Sequence, residues 1–345
     1  MRAWELRTPG PVAAPDRLHA VQRPDPEPGA GELLVEVLAC AVCRTDLQIV
    51  EGDLEPHLLP LVPGHQVVGR VSAVGDGVPA ARLGELVGLA WIAGTCGECR
   101  FCRSRRENLC AQARFTGWDR DGGYATHVTA RADFAHPLPA GCDPLDAAPL
   151  LCGGVIGYRA LRVAGVTAGM RVGLYGFGAS ATLALQVARH WGCEVYVASR
   201  SPAEQDRARA SGAVWAGGYD QPPPVPLDAA VTFAPVGSVV VRALEALERG
   251  GVVAVNAIHL DEIPAFPYRT LWWERQLRSV ANVTRDDVHE FLDLVPQVPV
   301  RTRYEVLPLA EASTALVRLE AGDVSGAFVL DCTLPPPLPP PPSPR

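Results

Sequence analysis

The chain has 345 residues, 48% of them hydrophobic and 20% charged, and a formal net charge of −7. That length suggests two domains, since single cores stop growing near about 250–300 residues, and the composition excludes a disordered chain. The acidic balance argues against broad affinity for nucleic acid or anionic membranes. No apolar run reaches the roughly 20 residues of a membrane span, and Met1–Leu6 carries no apolar signal core, so a cytoplasmic location is expected. All 31 basic residues are arginine. Without lysine, Schiff-base chemistry, pyridoxal phosphate attachment and a Walker-A loop are excluded.

In chain order, residues 1–150 read as short strands and turns, with β-rich runs at Leu33–Leu38 and Val67–Val71 between Pro-Gly and Gly-rich turns. This predicts an all-β, barrel-like region. From Gly169 strands and helices alternate, which predicts a parallel sheet and an α/β fold. The first unit is the strand Arg171–Tyr175, the turn Gly176-Phe177-Gly178-Ala179-Ser180-Ala181, and a helix reaching His190. A second strand covers Val195–Ala198. The helix after it opens with the capping box Ser201-Pro202-Ala203-Glu204, proline standing at its first position. Further strands are expected at Ala229–Phe233, Val252–Asn256 and Arg278–Asn282. After about residue 300 the β-rich texture returns, and residues 333–345 form a Pro-rich, disordered tail. The expected domains are therefore 1–150 completed by 300–332, with 151–299 between them.

Ten cysteines in a reducing compartment point to metal before disulfides. Cys96, Cys99, Cys102 and Cys110 put four thiolates on one loop. Zinc favours tetrahedral sulfur, and short spacers let one loop wrap it. Four cysteinates leave no open position, so this zinc would be structural. A second set, Cys43, His65 and Cys152, has the two-sulfur, one-nitrogen composition of a catalytic zinc site with water as fourth ligand. Taken singly, Cys152 reads more readily as a small buried hydrophobe and His65 as a satisfied core histidine.

The contexts Cys43-Arg44-Thr45-Asp46, Pro63-Gly64-His65-Gln66 and Leu151-Cys152-Gly153-Gly154, with the four-cysteine loop between, closely resemble the zinc-containing medium-chain alcohol dehydrogenases. Within that superfamily the chain is most similar to the bacterial zinc enzymes grouped with the cinnamyl alcohol dehydrogenases. The resemblance runs to about residue 332 and takes in Asp121-Gly122-Gly123-Tyr124-Ala125, Phe233-Ala234-Pro235-Val236-Gly237 and Ser279-Val280-Ala281-Asn282. It implies a GroES-like catalytic domain with a Rossmann domain inserted, catalytic zinc on Cys43, His65 and Cys152, and hence two zinc ions per chain. It implies further that Asp46 stands behind the ligand histidine, that Thr45 relays the alcohol proton and that Arg44 contacts the pyrophosphate. A homodimer or homotetramer through the Rossmann domains is implied as well, and Ile263–Tyr268 with Trp272 and Trp273 can contribute to it.

The Gly-x-Gly-x-x-Ala turn from Gly176 to Ala181 follows a predicted strand and opens a helix, the context a dinucleotide needs. Its glycines allow close approach of the pyrophosphate to the helix N-terminus. About twenty residues on, Ser199-Arg200-Ser201 carries no carboxylate for the ribose hydroxyl of NAD. Arginine can hold the 2′-phosphate of NADP, so NADP(H) is favoured over NAD(H).

These residues predict interconversion of a small-molecule alcohol and its aldehyde or ketone, by hydride transfer with the nicotinamide cofactor. Trp91, Trp118 and Ile258 are expected to line an apolar pocket, Ile258 also touching cofactor. Three positions depart from the commoner pattern of the family: Gln66 in place of glutamate, Gln48 in place of a relay histidine, and Ile156 in place of a threonine. Two alternatives therefore stand beside the alcohol reading: a C=C or C=N reductase of a biosynthetic intermediate, and a non-catalytic NADP-binding scaffold.

Overall fold

The computed structural model describes residues 1–14, 17–257, 260–298, 300–324 and 326–335. Ile258 and all but the first residues of the Pro-rich tail fall outside that set. The chain divides into two compact units, Met1–Leu151 with the segment from Thr302 onward, and Cys152–Arg301. Among the described residues no helix is long and apolar enough to cross a membrane.

The first unit is organised by the strand Glu32–Val42. Leu33, Val35 and Val37 alternate into the core, as period-two geometry requires. This strand pairs antiparallel with Gln66–Val74, with His127–Arg131 and with Ala327–Asp331. The last pairing sets Leu330 opposite Cys40 and Phe328 opposite Val42, so the C-terminal segment completes the N-terminal sheet. The unit is not all-β, as the sequence reading held. Helix Arg44–Glu51 follows the central strand directly, burying Leu47, Ile49 and Val50 and ending at Gly52 in the left-handed region (φ 91°). Helix Ala312–Glu320 packs on the same core.

The second unit is a six-stranded parallel sheet. Its strands lie in the order Trp215–Gly217, Glu194–Ala198, Arg171–Tyr175, Leu227–Thr232, Leu247–Val255, Gln276–Ser279. Numbered along the chain this is 3-2-1-4-5-6, the doubly wound order in which dinucleotides bind where the direction reverses. The reversal lies between Arg171–Tyr175 and Leu227–Thr232. Val172, Leu174, Val195, Val197 and Val231 are all fully buried, as expected of strands covered on both faces. The three later strands begin two to five residues, and end one to three residues, before their expected bounds. Their ends follow the ladder with neighbouring strands, which no single segment encodes.

Candidate active site

Cys43 directly follows the central strand and caps helix Arg44–Glu51 with extended backbone. Its N–H donates to Asp46 Oδ2 at 2.9 Å. The other carboxylate oxygen, Oδ1, lies 2.8 Å from His65 Nδ1. Asp46 and His65 are both buried. One carboxylate thus fixes two of the three expected ligands, and binding Nδ1 leaves Nε2 of His65 for a metal. Burial opposes charge on the imidazole, but Asp46 outweighs it and raises the His65 pKa to about 10.

Cys152 is the first residue after Leu151, at the passage from one unit to the next. The ligand atoms of Cys43, His65 and Cys152 all lie within 4.8 Å of one another. Two sulfurs and one nitrogen at that spacing fit zinc with one position open. Thr45 Oγ1 is 3.8 Å from Cys43 Sγ, and Arg44 is exposed. Gln66 is buried, with its amide turned 3.4 Å from the Ala41 carbonyl.

An aromatic wall leads away from His65. Trp91 meets the imidazole edge-on at 5.0 Å, and Trp118 stacks on Trp91 at 5.8 Å with an interplanar angle of 11°. Phe115 packs 5.0 Å from Trp91, and exposed His57 stacks on Trp118 at 4.2 Å. Neither Phe115 nor His57 carries a motif that would have marked it in the sequence.

The four-cysteine loop closes on itself. Sulfur–sulfur distances are 3.5 Å for Cys99–Cys102, 3.5 Å for Cys96–Cys110 and 3.8 Å for Cys96–Cys102. A disulfide needs about 2.05 Å, whereas a tetrahedron with zinc–sulfur bonds of about 2.3 Å has edges of about 3.8 Å. The geometry fits metal. Backbone N–H groups of Cys99 and Glu98 point at Cys96 Sγ and lower its pKa to about 6, favouring the thiolate that a metal binds.

The glycine turn lies at the end of strand Arg171–Tyr175. Gly176 has φ 90°, and a Cβ there would stand 2.9 Å from the Ala234 nitrogen, so only glycine fits. A Cβ on Gly178 would meet nothing within 4 Å. Helix Ala179–His190 starts there without a side-chain cap, so its first-turn N–H groups remain available to an anion. Phe177 and Ala181 are buried, and Ser180 is half-buried.

At the end of the next strand Ser199 is fully buried and Arg200 exposed. Ser201 caps its helix as expected, accepting from the Glu204 N–H at 3.4 Å. The second half of the box is absent. Glu204 instead accepts a short hydrogen bond from the Ser199 hydroxyl, which lies 3.3 Å from the Ser201 nitrogen and so intercepts the carboxylate. Two further residues escaped sequence reasoning. Arg207 donates to the Phe177 carbonyl at 3.2 Å, tying the helix to the glycine turn. Tyr219, half-buried, has its ionisation raised by burial and by Glu204 and lowered by Arg200 and Ser199, which places all four groups together.

Residues 29–140 match the alcohol dehydrogenase GroES-like domain. The chain is 48% identical to a probable alcohol dehydrogenase of Mycobacterium tuberculosis over 96% of this chain and 97% of that protein. Among solved structures it resembles a cinnamyl alcohol dehydrogenase of Sorghum bicolor, with 27% identity, a TM-score of 0.83, and coverage of 96% and 97% of the two chains. It also resembles a cobalt- and zinc-bound thermostable alcohol dehydrogenase from Pyrobaculum aerophilum, with 26% identity, a TM-score of 0.84, and coverage of 96% and 99%. With the ligand cluster and the doubly wound sheet, this likeness over nearly the whole length establishes that the chain belongs to the zinc-containing medium-chain alcohol dehydrogenases.

Proposed function

We propose that this protein interconverts a primary or secondary alcohol and its aldehyde or ketone, with two zinc ions per chain and NADP(H) preferred over NAD(H). The observation that carries the reading is the meeting of Cys43, His65 and Cys152 within 4.8 Å, with Asp46 behind His65. When bound, zinc supplies Lewis acidity that favours the deprotonated alcohol, and the nicotinamide supplies hydride exchange.

The chain's own residues do the rest. Asp46 fixes the His65 ring and the Cys43 backbone, holding the ligands ready before substrate arrives. Thr45, beside Cys43, takes the alcohol proton. Gln48 has no titratable group to pass that proton on, so it leaves through water or the cofactor ribose. Trp91 and Trp118 exclude water and favour a flat, apolar substrate over a polyol. The open helix start at Gly178–Ser180 receives the pyrophosphate, with Arg44 as its counter-charge. Ser199, Arg200 and Tyr219 receive the 2′-phosphate.

Ten free thiols suit a reducing cytoplasm. Homodimer or homotetramer formation is supported by the strand Gln276–Ser279, which ends the sheet, and by Tyr268, Trp272 and Trp273 exposed close by in sequence.

The test is elemental analysis of reduced, untagged protein together with an NADPH-linked screen of aldehydes. Two zinc ions per chain, one of them lost in Cys43→Ser together with turnover, is the expected result. One zinc retained by Cys43→Ser, with no turnover on any carbonyl, would leave cofactor binding alone.

A further inference from the structure

The segment Asp121–Ala125 lies across the stretch that delivers His65. Gly122 donates to the Val62 carbonyl at 2.7 Å, Gly123 to Gly64 at 2.8 Å and Tyr124 to Pro63 at 2.9 Å. This clamp lays the Tyr124 ring against Gly64, where a Cβ would fall 2.5 Å from Tyr124 Cδ1 and 2.9 Å from Cys40 Sγ. Gly64 also has φ 98°. The residue before the ligand histidine is thus glycine for two reasons, and one of them is this ring.

Tyr124 is fully buried. Its hydroxyl makes no hydrogen bond of normal geometry among the described residues. Burial, and then the negative charge of the Asp46 carboxylate and of the Cys40 and Cys43 thiolates, raise its ionisation well above the ordinary value, which puts these groups within electrostatic reach of the ring oxygen. A phenol is protonated at neutral pH and can donate a hydrogen bond. A phenylalanine would fill the same space without the cost of burying an unpaired hydroxyl, so packing alone does not account for the oxygen. Asp46 has capacity to accept it: Oδ1 takes His65 and Oδ2 takes the Cys43 N–H, and each oxygen keeps a second lone pair.

We propose that Tyr124 is a positioning residue of the metal site, donating its hydroxyl hydrogen to Asp46 so that the carboxylate stays set between His65 and Cys43. This rests on the metal reading of Cys43, His65 and Cys152. Partners one step behind the ligands commonly change metal affinity by about 10- to 100-fold when removed.

The experiment follows zinc release from the holoenzyme to a chromogenic chelator, in wild type, Tyr124→Phe, Asp46→Asn and the double variant. In Tyr124→Phe, release from the Cys43 site is expected to quicken at least about tenfold, while the four-cysteine loop keeps its metal at the wild-type rate. With cobalt exchanged into the site, the ligand-field spectrum of Tyr124→Phe is expected to shift, and adding Tyr124→Phe to Asp46→Asn to change nothing further. Wild-type release rate and spectrum in Tyr124→Phe would overturn the proposal. So would effects that add in the double variant, because these would reflect packing. A wild-type protein with no releasable metal at Cys43 would instead overturn the metal reading on which the proposal stands.

Discussion

Glu204 is the residue whose role changes most between sequence and structure. As the fourth residue of Ser201-Pro202-Ala203-Glu204 it reads as half of a cap, yet its carboxylate is drawn to the buried Ser199 hydroxyl. It thereby stands beside Arg200 and Tyr219, where the 2′-phosphate is proposed to sit, and Arg207 lies 3.7 Å away to offset its charge. Glu204→Gln is expected to tighten NADPH several-fold and leave NADH nearly unchanged. Arg200→Ala is expected to weaken NADPH about tenfold, matching the loss of a charge-assisted bond of about 1.5–3 kcal/mol discounted for exposure. Titration of cofactor fluorescence reads both; equal effects on the two cofactors would remove Arg200 and Glu204 from the discrimination. The candidate metal ligands were legible because each lies in a short, chemically unusual stretch, as Cys43-Arg44-Thr45-Asp46 does. Tyr219 and His57 were not, since each acts through a neighbour distant in sequence or a stacking that leaves no local pattern.

At the scale of elements, the parallel strands announced themselves as apolar runs because both faces of the sheet are covered. Helix Arg44–Glu51 did not. With eight residues it offers barely two turns of periodicity, and its start is set by Asp46 reaching back to Cys43. The two central strands of the second unit are tied across the switch point by Arg171 and Asp228. Arg171 Nε and Nη2 lie 3.1 Å and 2.7 Å from the carboxylate, and the Arg171 N–H donates to it at 2.8 Å. Bonding to Arg171 lowers the Asp228 pKa below its ordinary 3.8. A lowered carboxylate pKa contributes stability above the unfolded value, and that contribution is lost as pH falls through the folded value. Asp228→Asn is therefore expected to cost about 1–2 kcal/mol at neutral pH, with the difference from wild type closing below about pH 4. Chemical denaturation of both proteins at several pH values measures this, and a difference that persisted in acid would mean the loss is one of packing.

At the scale of the molecule, the largest exposed aromatic groups of the second unit, Tyr268, Trp272 and Trp273, gather ahead of its terminal strand. Arg249 lies 4.0 Å over the Trp273 ring. Placing two carboxylates on this patch, Trp272→Glu with Trp273→Glu, is expected to give monomer in light scattering where the wild type gives the proposed homodimer or homotetramer. An unchanged mass would place the interface elsewhere. The alternation of strand and helix after Gly169 made the two-part fold legible. The return of the C-terminal segment to the first sheet was not encoded locally, since the pairing of Leu330 with Cys40 depends on residues nearly a whole chain apart. The same contrast of near and far separates the two cysteine sites. Cys96 and Cys110 are 14 residues apart, whereas Cys43 and Cys152 are separated by roughly a hundred and have to wait for strand, clamp and His65 to assemble around them. The cost of closing a loop grows with its length, so during synthesis the near site forms as soon as its own residues have emerged. If both sites take zinc as proposed, metal scarcity would be felt at the far site first, leaving chains that are folded but idle.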